Sequence, residues 1–281
     1  MPKNISFFIF LFIFNLLFAQ NNVKQFKNGL IDFQGFFNFS YSENKDRIYL
    51  EVNSLNKQFL YVSALSQGIG SNDIGLDRGQ LGVRKLVFFK KTGNKLLLIE
   101  PNLKYVAKTK NTLEKKSVDE AFAKSVLHGF NIMDHKNGSY KIDITSFLLE
   151  DRHGIIKRLV DRNQGAYSID KSKSSINLDR TKAFEKNIEF DVLLTFTGNA
   201  KGNFIKSVTP SPDNITVYQH HSFIELPDNN YKPRIFDPRS GSNSISYFDY
   251  SSPVTEKTLK QYILRHRLIK KDKKLTLSEP L

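Results

Sequence analysis

Residues 84–100 read RKLVFFKKTGNKLLLIE, and this stretch decides the fold class. Two apolar runs, at 86–89 and 96–99, lie on either side of the turn-forming residues Thr92, Gly93 and Asn94. Apolar runs joined by a short turn that contains glycine are typical of a β-hairpin. The stretch therefore predicts a pair of antiparallel strands, and similar patterns extend from it in both directions.

Further segments rich in aromatic and β-branched residues predict additional strands. We expect these at 45–52, 58–64, 130–133, 140–144, 188–197, 204–209 and 215–226. A capping box formed by Ser117 and Glu120 predicts that a helix begins there. We also expect a short basic helix at 154–162, and an amphipathic pattern predicts a final helix at 255–270. The predicted class is α+β, predominantly antiparallel β with two to three helices.

Residues 67–82 contain five glycines among sixteen positions. Such a density indicates positive φ angles or close backbone approach, and the interleaved aliphatic residues favour a shaped loop over a flexible linker. The segment lacks the lysine and hydroxyl residue that end a phosphate-binding loop. Its carboxylates could cap backbone amides or pair with arginine, or the loop could serve recognition. The candidate interaction residues here are Gly70, Asn72, Asp73, Asp77 and Arg78.

The six histidines are the other candidates for chemistry. None lies in an HExxH motif, and His220 and His221 form the only adjacent pair. Neighbouring residues of a strand face opposite sides, so these two imidazoles are not expected to bind one metal ion. We predict packing or hydrogen bonding for them and include both with the candidate interaction residues. We assign no catalytic, metal-binding or cofactor-binding residue, and nothing in the sequence brings Glu225 and Asp237 together as paired acids.

Composition excludes several classes of function. The chain has no cysteine, so it can form neither disulfides nor thiolate metal sites. Its formal charge is +14, but the lysines are scattered and the densest basic cluster lies at 265–274. Because no nucleic-acid-binding signature accompanies the charge, we predict no nucleic-acid partner.

Residues 1–19 combine Lys3, an apolar run and Ala19, the pattern of a secretory signal peptide. We therefore expect an exported protein, periplasmic or extracellular, with no membrane association after cleavage. We expect 20–55 to lead into a β-rich module at 56–272, followed by a linker at 273–281. The polar stretch 170–177 suggests a division of the module near residue 175, although both halves could share one core.

Several long segments resemble one known family. They are FLYVSALSQGIGSNDIGLDRGQLG (59–82), EPNLKY (100–105), SVDEAFAKSVLHGF (117–130), RTKAFEKNIEF (180–190), TVYQHHSFIELPDNNYKPRIFDPRSG (216–241) and RHRLIKKDKK (265–274). The sequence resembles the non-catalytic N-terminal region of secreted bacterial zinc-dependent metalloproteases. In that family a downstream domain carries an HExxHxxGxxH motif, whose histidines bind zinc and whose glutamate activates water. None of those ligands can be carried over to a residue of this chain.

The resemblance implies a non-catalytic module that packs against or gates a zinc-protease domain, in cis or from a split gene. Zinc would then belong to that missing domain, with no cofactor on this chain, which we expect to be inactive alone. The alternative is a free-standing extracellular module that binds a peptide or glycan through the glycine-rich loop and residues 218–231. A third hypothesis is that the chain is a complete enzyme in its own right.

Overall fold

The computed structural model describes residues 23–27 and 29–277. The predicted signal peptide at 1–19 therefore lies outside the described residues. The chain forms two compact units. The first unit combines Met1–Leu98 with His128–Glu225, and the second combines Ile99–Leu127 with Leu226–Leu281.

The described residues form seventeen strands and four α-helices. The strands are β1 (Val23–Lys27), β2 (Leu30–Phe33), β3 (Asn38–Ser42), β4 (Arg47–Val52), β5 (Phe59–Gln67), β6 (Leu81–Thr92), β7 (Lys95–Glu100), β8 (Tyr105–Val106), β9 (Ser125–Lys136), β10 (Ser139–Asp143), β11 (Gly165–Ile169), β12 (Ser175–Ile176), β13 (Lys182–Ala183), β14 (Asn187–Ala200), β15 (Asn214–Glu225), β16 (Ser244–Asp249) and β17 (Leu259–Ile263). The helices are α1 (Thr112–Ala121), α2 (Thr145–Leu148), α3 (Ile155–Asp161) and α4 (Asn203–Val208).

The first unit is built on one large, antiparallel, nearly closed sheet. Its strand order is β1-β2-β3-β4-β10-β9-β7-β6-β5-β15-β14-β11, and the short strands β12 and β13 also pair with β14. Strands β14 and β15 are the longest pair, in register from Asn187 opposite Ile224 to Thr197 opposite Asn214. The two ends of this strand order approach each other where the Phe36 amide, between β2 and β3, donates to the Phe184 carbonyl, just after β13, at 2.8 Å.

A phenylalanine-rich core fills this unit. Every second residue of β5 from Phe59 to Leu65 is buried, as expected for a strand with one face on a core. Phe39 of β3 contacts Phe190 of β14, with ring centroids 4.9 Å apart. The short helix α2 adds Phe147, which is fully buried. The interior is therefore occupied by side chains.

The second unit is small. Its sheet has the order β17-β16-β8, in which β16 pairs antiparallel with β17 and parallel with β8. Helix α1 belongs to the same unit.

The predicted predominance of antiparallel sheet is confirmed, but the α+β class is not. The structure is mostly β, because its four helices have only ten, four, seven and six residues. The hairpin predicted from residues 84–100 is present as β6 and β7. The short basic helix predicted at 154–162 is present as α3.

Three helix and strand predictions were wrong. Helix α1 begins earlier than Ser117, because the Asn111 side chain accepts from the Leu113 and Glu114 amides. Residues 204–208 belong to helix α4 instead of a strand, because the Gln164 side chain accepts from the Ile205 amide at 3.0 Å. The final helix predicted at 255–270 is absent, because β17 lies there and pairs with β16.

The division suggested near residue 175 does not coincide with a boundary between the two compact units. Residues 170–177 lie within the first unit. Ser175 and Ile176 form β12, which pairs with Leu193 and Val192 of β14. This polar stretch is therefore an added edge of the sheet.

Candidate functional site

The glycine-rich loop, here residues 68–80, is anchored by its own apolar side chains. Ile69, Ile74 and Leu76 are buried. The Ile69 amide donates to the Leu76 carbonyl at 2.8 Å, and the Gly79 amide donates to the Leu65 carbonyl at 2.7 Å. The segment is thus a compact loop, as its interleaved aliphatic residues predict.

The polar candidates of this loop lie mostly at its surface. Asn72, Asp73 and Arg78 are exposed. With its nitrogen turned toward Asp77, the Asn72 amide donates to both carboxylate oxygens at 3.2 Å. Gly70 has a φ of +88°, which only glycine adopts readily. The partner of Asp77 is therefore the Asn72 side chain, which the sequence analysis did not name for it.

His221 lies on the core face of β15 and is fully buried. Its Nε2 is 3.0 Å from the Leu148 carbonyl oxygen, and its Nδ1 is 2.9 Å from the Tyr61 hydroxyl. Because a carbonyl can only accept, this network assigns the hydrogen to Nε2 and makes Nδ1 the acceptor from Tyr61. Burial lowers the pKa of His221 to about 3, so the ring is neutral. His221 therefore ties the end of α2 to the sheet.

Gln219 acts beside it on the same face. Its side-chain nitrogen donates to the Glu150 carbonyl at 2.9 Å, and its side-chain oxygen accepts from the His153 amide at 2.8 Å. Gln219 is fully buried, so these bonds satisfy polar atoms that would otherwise be costly in a core. Together, Gln219 and His221 fix the segment that leads into α3.

His220 lies on the opposite face of β15, between two carboxylates. Its Nδ1 is 3.2 Å from Asp191 Oδ1, and its Nε2 is 2.8 Å from Glu189 Oε2. Burial alone would lower the pKa of His220, but hydrogen bonds to Asp191 and Glu189 outweigh it and raise the pKa to about 9. The imidazolium thus links two acids on β14.

The neighbours of these acids complete a polar row across three strands. Ser66 Oγ of β5 donates to Asp191 Oδ1 at 2.6 Å, and the Asn177 side chain donates to Asp191 Oδ2 at 2.8 Å. The Ser222 hydroxyl donates to Glu189. Because His220 directs each ring nitrogen to a different carboxylate, the arrangement fits a structural ion cluster.

We expect replacement of His220 with glutamine to destabilise the chain in a pH-dependent way. A folded-state pKa of about 9 exceeds the ordinary value near 6.5, so protonation of His220 favours folding. That contribution is fully present below about pH 6.5 and is lost as the pH rises through about 9. Urea unfolding of the native chain and His220→Gln should therefore differ most at pH 6 and least near pH 9.5. An equal difference at both pH values would contradict the assignment.

No group of three or more histidine or acidic side chains suited to a metal ion occurs within residues 23–27 and 29–277. The two histidines of the predicted pair face opposite sides of β15, as expected from strand geometry. Glu225 pairs with Lys57 at 3.0 Å, and Asp237 pairs with Arg239 at 2.6 Å. Each of these acids thus has its own cationic partner.

The sheet of the second unit has two different faces. On one face, the Tyr105 ring stacks on Phe122 with centroids 4.3 Å apart and on Phe248 with centroids 5.4 Å apart. Phe122 directly follows α1 and also contacts Tyr250, at 5.1 Å. This aromatic cluster forms the packed side of the sheet.

The other face carries a row of apolar and aromatic side chains, which we call the docking face: Ile235, Ile245, Tyr247 and Tyr262. Tyr262 of β17 lies opposite Ile245 of β16 and also bridges to Ile235. Tyr247 stacks on Tyr262 with centroids 5.9 Å apart. Ile235 is 77% exposed and Ile245 is 58% exposed. The two isoleucines of this face are therefore exposed to solvent, whereas the two tyrosines are half-buried.

Basic side chains border the docking face. Lys108 Nζ lies 4.2 Å from the centre of the Tyr247 ring. Lys260 lies opposite Tyr247 in the strand register, and its ammonium contacts Glu256 at 2.9 Å. The sequence prediction missed this face because it assigned residues 255–270 to a helix. The alternation in Ile245, Tyr247 and Asp249 was the signal that could have identified it.

Within the described residues, no helix has the length and apolarity needed to cross a membrane. No curated protein matches the chain, and no solved structure matches it. A family model for a domain of unknown function, DUF5117, matches residues 79–271, which include α3 and the docking face. Because this match covers more than half of the chain, the chain belongs to the DUF5117 family.

Proposed function

We propose that this chain is a non-catalytic module of an exported zinc-dependent metalloprotease, and that the docking face binds the protease domain. The sequence resemblance described above supports the choice of partner. The exposure of Ile235 and Ile245 on a sheet face supports a docking role, and this observation carries the proposal. The protease domain would be supplied in the same polypeptide or by a separate gene, and zinc would be bound there.

The chemistry of the docking face favours a protein partner. Exposed apolar groups gathered on one surface mark interaction sites more often than isolated ones do. Tyrosine supplies a large contact area at a low cost in side-chain entropy, and it is enriched at interfaces. Interfaces between domains bury about 600–1,500 Å², so residues around the four named here would also take part. Lys108 favours an acidic border on the partner, whereas Lys260 already contacts Glu256.

The test begins with the DNA beyond codon 281. It should encode a polypeptide with an HExxHxxGxxH motif, in frame or in a separate frame. That polypeptide is expressed apart from this chain, and their association is measured by biolayer interferometry. We expect Ile245→Asp to weaken the association by about tenfold or more, because the carboxylate would be buried without a partner.

Leu113→Asp is the matched control. Leu113 is 76% exposed on α1, and an acid in the first turn of a helix is compatible with its dipole. This variant makes the same chemical change in the same unit and should bind as the native chain does. The proposal fails if the locus encodes no such polypeptide, if the two chains do not associate, or if both variants bind equally well.

A further inference from the structure

One face of α3 is lined by polar residues at helical spacing. Lys157 and Asp161 are four positions apart, as are Arg158 and the C-terminal cap Arg162, while Ile155 and Leu159 on the other side are buried. The polar face lines an open cavity of about 570 Å³, to which His153 also contributes. This cavity belongs to the first unit.

The cavity carries unbalanced positive charge. Asp161 is its one acidic lining residue, and it is bound to Lys157 at 2.5 Å. In the part of the chain that the structure describes, no carboxylate lies within ion-pair distance of Arg158 or Arg162. Two like charges four residues apart on a helix repel each other. A bound anion would relieve that repulsion.

Asp151, the acid that precedes α3, already accepts hydrogen bonds from backbone amides. Asp151 Oδ1 accepts from the Gly154 and Ile155 amides at 2.8 Å, and its Oδ2 accepts from the Ile156 amide at 2.8 Å. Asp151 therefore satisfies the free amides at the start of α3, which leaves the arginines as the available donors.

The glycine-rich loop holds the Arg158 side chain in place. A side-chain carbon added to Gly75 would lie 3.1 Å from Arg158 Nη1, so the guanidinium packs against the loop backbone. His153 lies close to the backbone of β6, since a side-chain carbon on Gly82 would lie 2.5 Å from its Nδ1. Groups held in position before binding lose less entropy when a ligand arrives.

We infer that the α3 cavity binds the phosphoryl group of a small phosphate-bearing ligand, with Arg158 and Arg162 as the principal contacts. Guanidinium groups present paired donors that match a phosphate, and two of them balance a dianion. The inference is independent of the docking face. It gives the glycine-rich loop a positioning role through Gly75 and Arg158.

Inorganic phosphate is the first probe, and O-phosphoserine is the second. Isothermal titration calorimetry of the mature chain with each probe should give saturable binding, whereas acetate should bind much more weakly. Tighter binding of O-phosphoserine would indicate a phosphomonoester as the ligand, and equal binding would indicate free phosphate. The imidazole signals of His153 in NMR spectra should shift on phosphate addition, because the ring lines the cavity.

The double variant Arg158→Gln/Arg162→Gln should weaken phosphate binding by about tenfold or more. Its matched control is Arg84→Gln/Arg180→Gln, which removes the same charge from exposed positions of the first unit. Because Arg158 also packs on the loop, Arg162→Gln alone provides a second test at an exposed residue. Absence of saturable phosphate binding, or equal losses in the double variant and its control, would overturn the inference.

Discussion

Replacing Phe147 with alanine is expected to lower the free energy of unfolding of the first unit by about 3–5 kcal/mol. The side chain is fully buried, and its ring lies 5.3 Å from Tyr61, 6.1 Å from Phe130 and 6.2 Å from Phe223. Removing it would leave a cavity at the meeting point of α2 and the sheet. Urea unfolding monitored by circular dichroism measures the change.

Phe204→Ala is the control for that experiment. Phe204 is 46% exposed on α4, so the same truncation removes much less buried surface. Its effect should remain within about 1 kcal/mol. If the two variants lost similar stability, the packed core described here would be incorrect.

The second large effect is expected for Gly68→Ala. A side-chain carbon at this position would lie 2.1 Å from the Leu76 carbonyl oxygen and 2.6 Å from the Asp77 carbonyl carbon. Because both atoms belong to the backbone, relief requires the loop to move, and we expect a loss of about 1–3 kcal/mol or more. Thermal unfolding and limited proteolysis near residues 68–80 would detect it.

Gly129→Ala provides the contrasting case. Its added carbon would lie 3.3 Å from the Leu97 Cδ2 atom, which belongs to a flexible side chain. Gly129 is a strand residue of β9, where alanine costs less backbone entropy than glycine. The thermal stability of this variant should therefore be close to that of the native chain. Equal destabilisation by both variants would show that the contact with Leu76 is not the cause.

The strands that could be predicted from sequence are those with a strong local pattern. The hairpin at 84–100 has its turn residues and its apolar runs within seventeen positions, so no distant information is needed. The opposite orientation of His220 and His221 also follows from strand geometry alone. Whether some other segments form a helix or a strand depends on side chains that are far away in sequence.

Two of the three wrong helix and strand predictions have such distant causes, whereas the start of α1 is set locally by Asn111. Residues 259, 262 and 263 fit a helical spacing as well as a strand, and Tyr262 is placed in a strand by Ile245 and Ile235. Helix α4 likewise depends on Gln164, which lies 41 positions before Ile205. Local propensity is a weak guide when tertiary contacts of this kind compete with it. The sequence analysis missed the cavity at α3 because it interpreted Arg158 and Arg162 only as part of a basic helix.

The parallel pairing of β8 with β16 limits the order in which parts of the chain can fold during synthesis. Tyr105 lies opposite Phe248, so this ladder joins segments from early and late in synthesis. Closing so long a connection is entropically costly and slows folding. The smaller sheet cannot be completed before β17 has emerged from the ribosome. A nascent chain that ends before residue 259 would therefore lack β17 and Tyr262, and the row of apolar and aromatic side chains on β16 would remain incomplete.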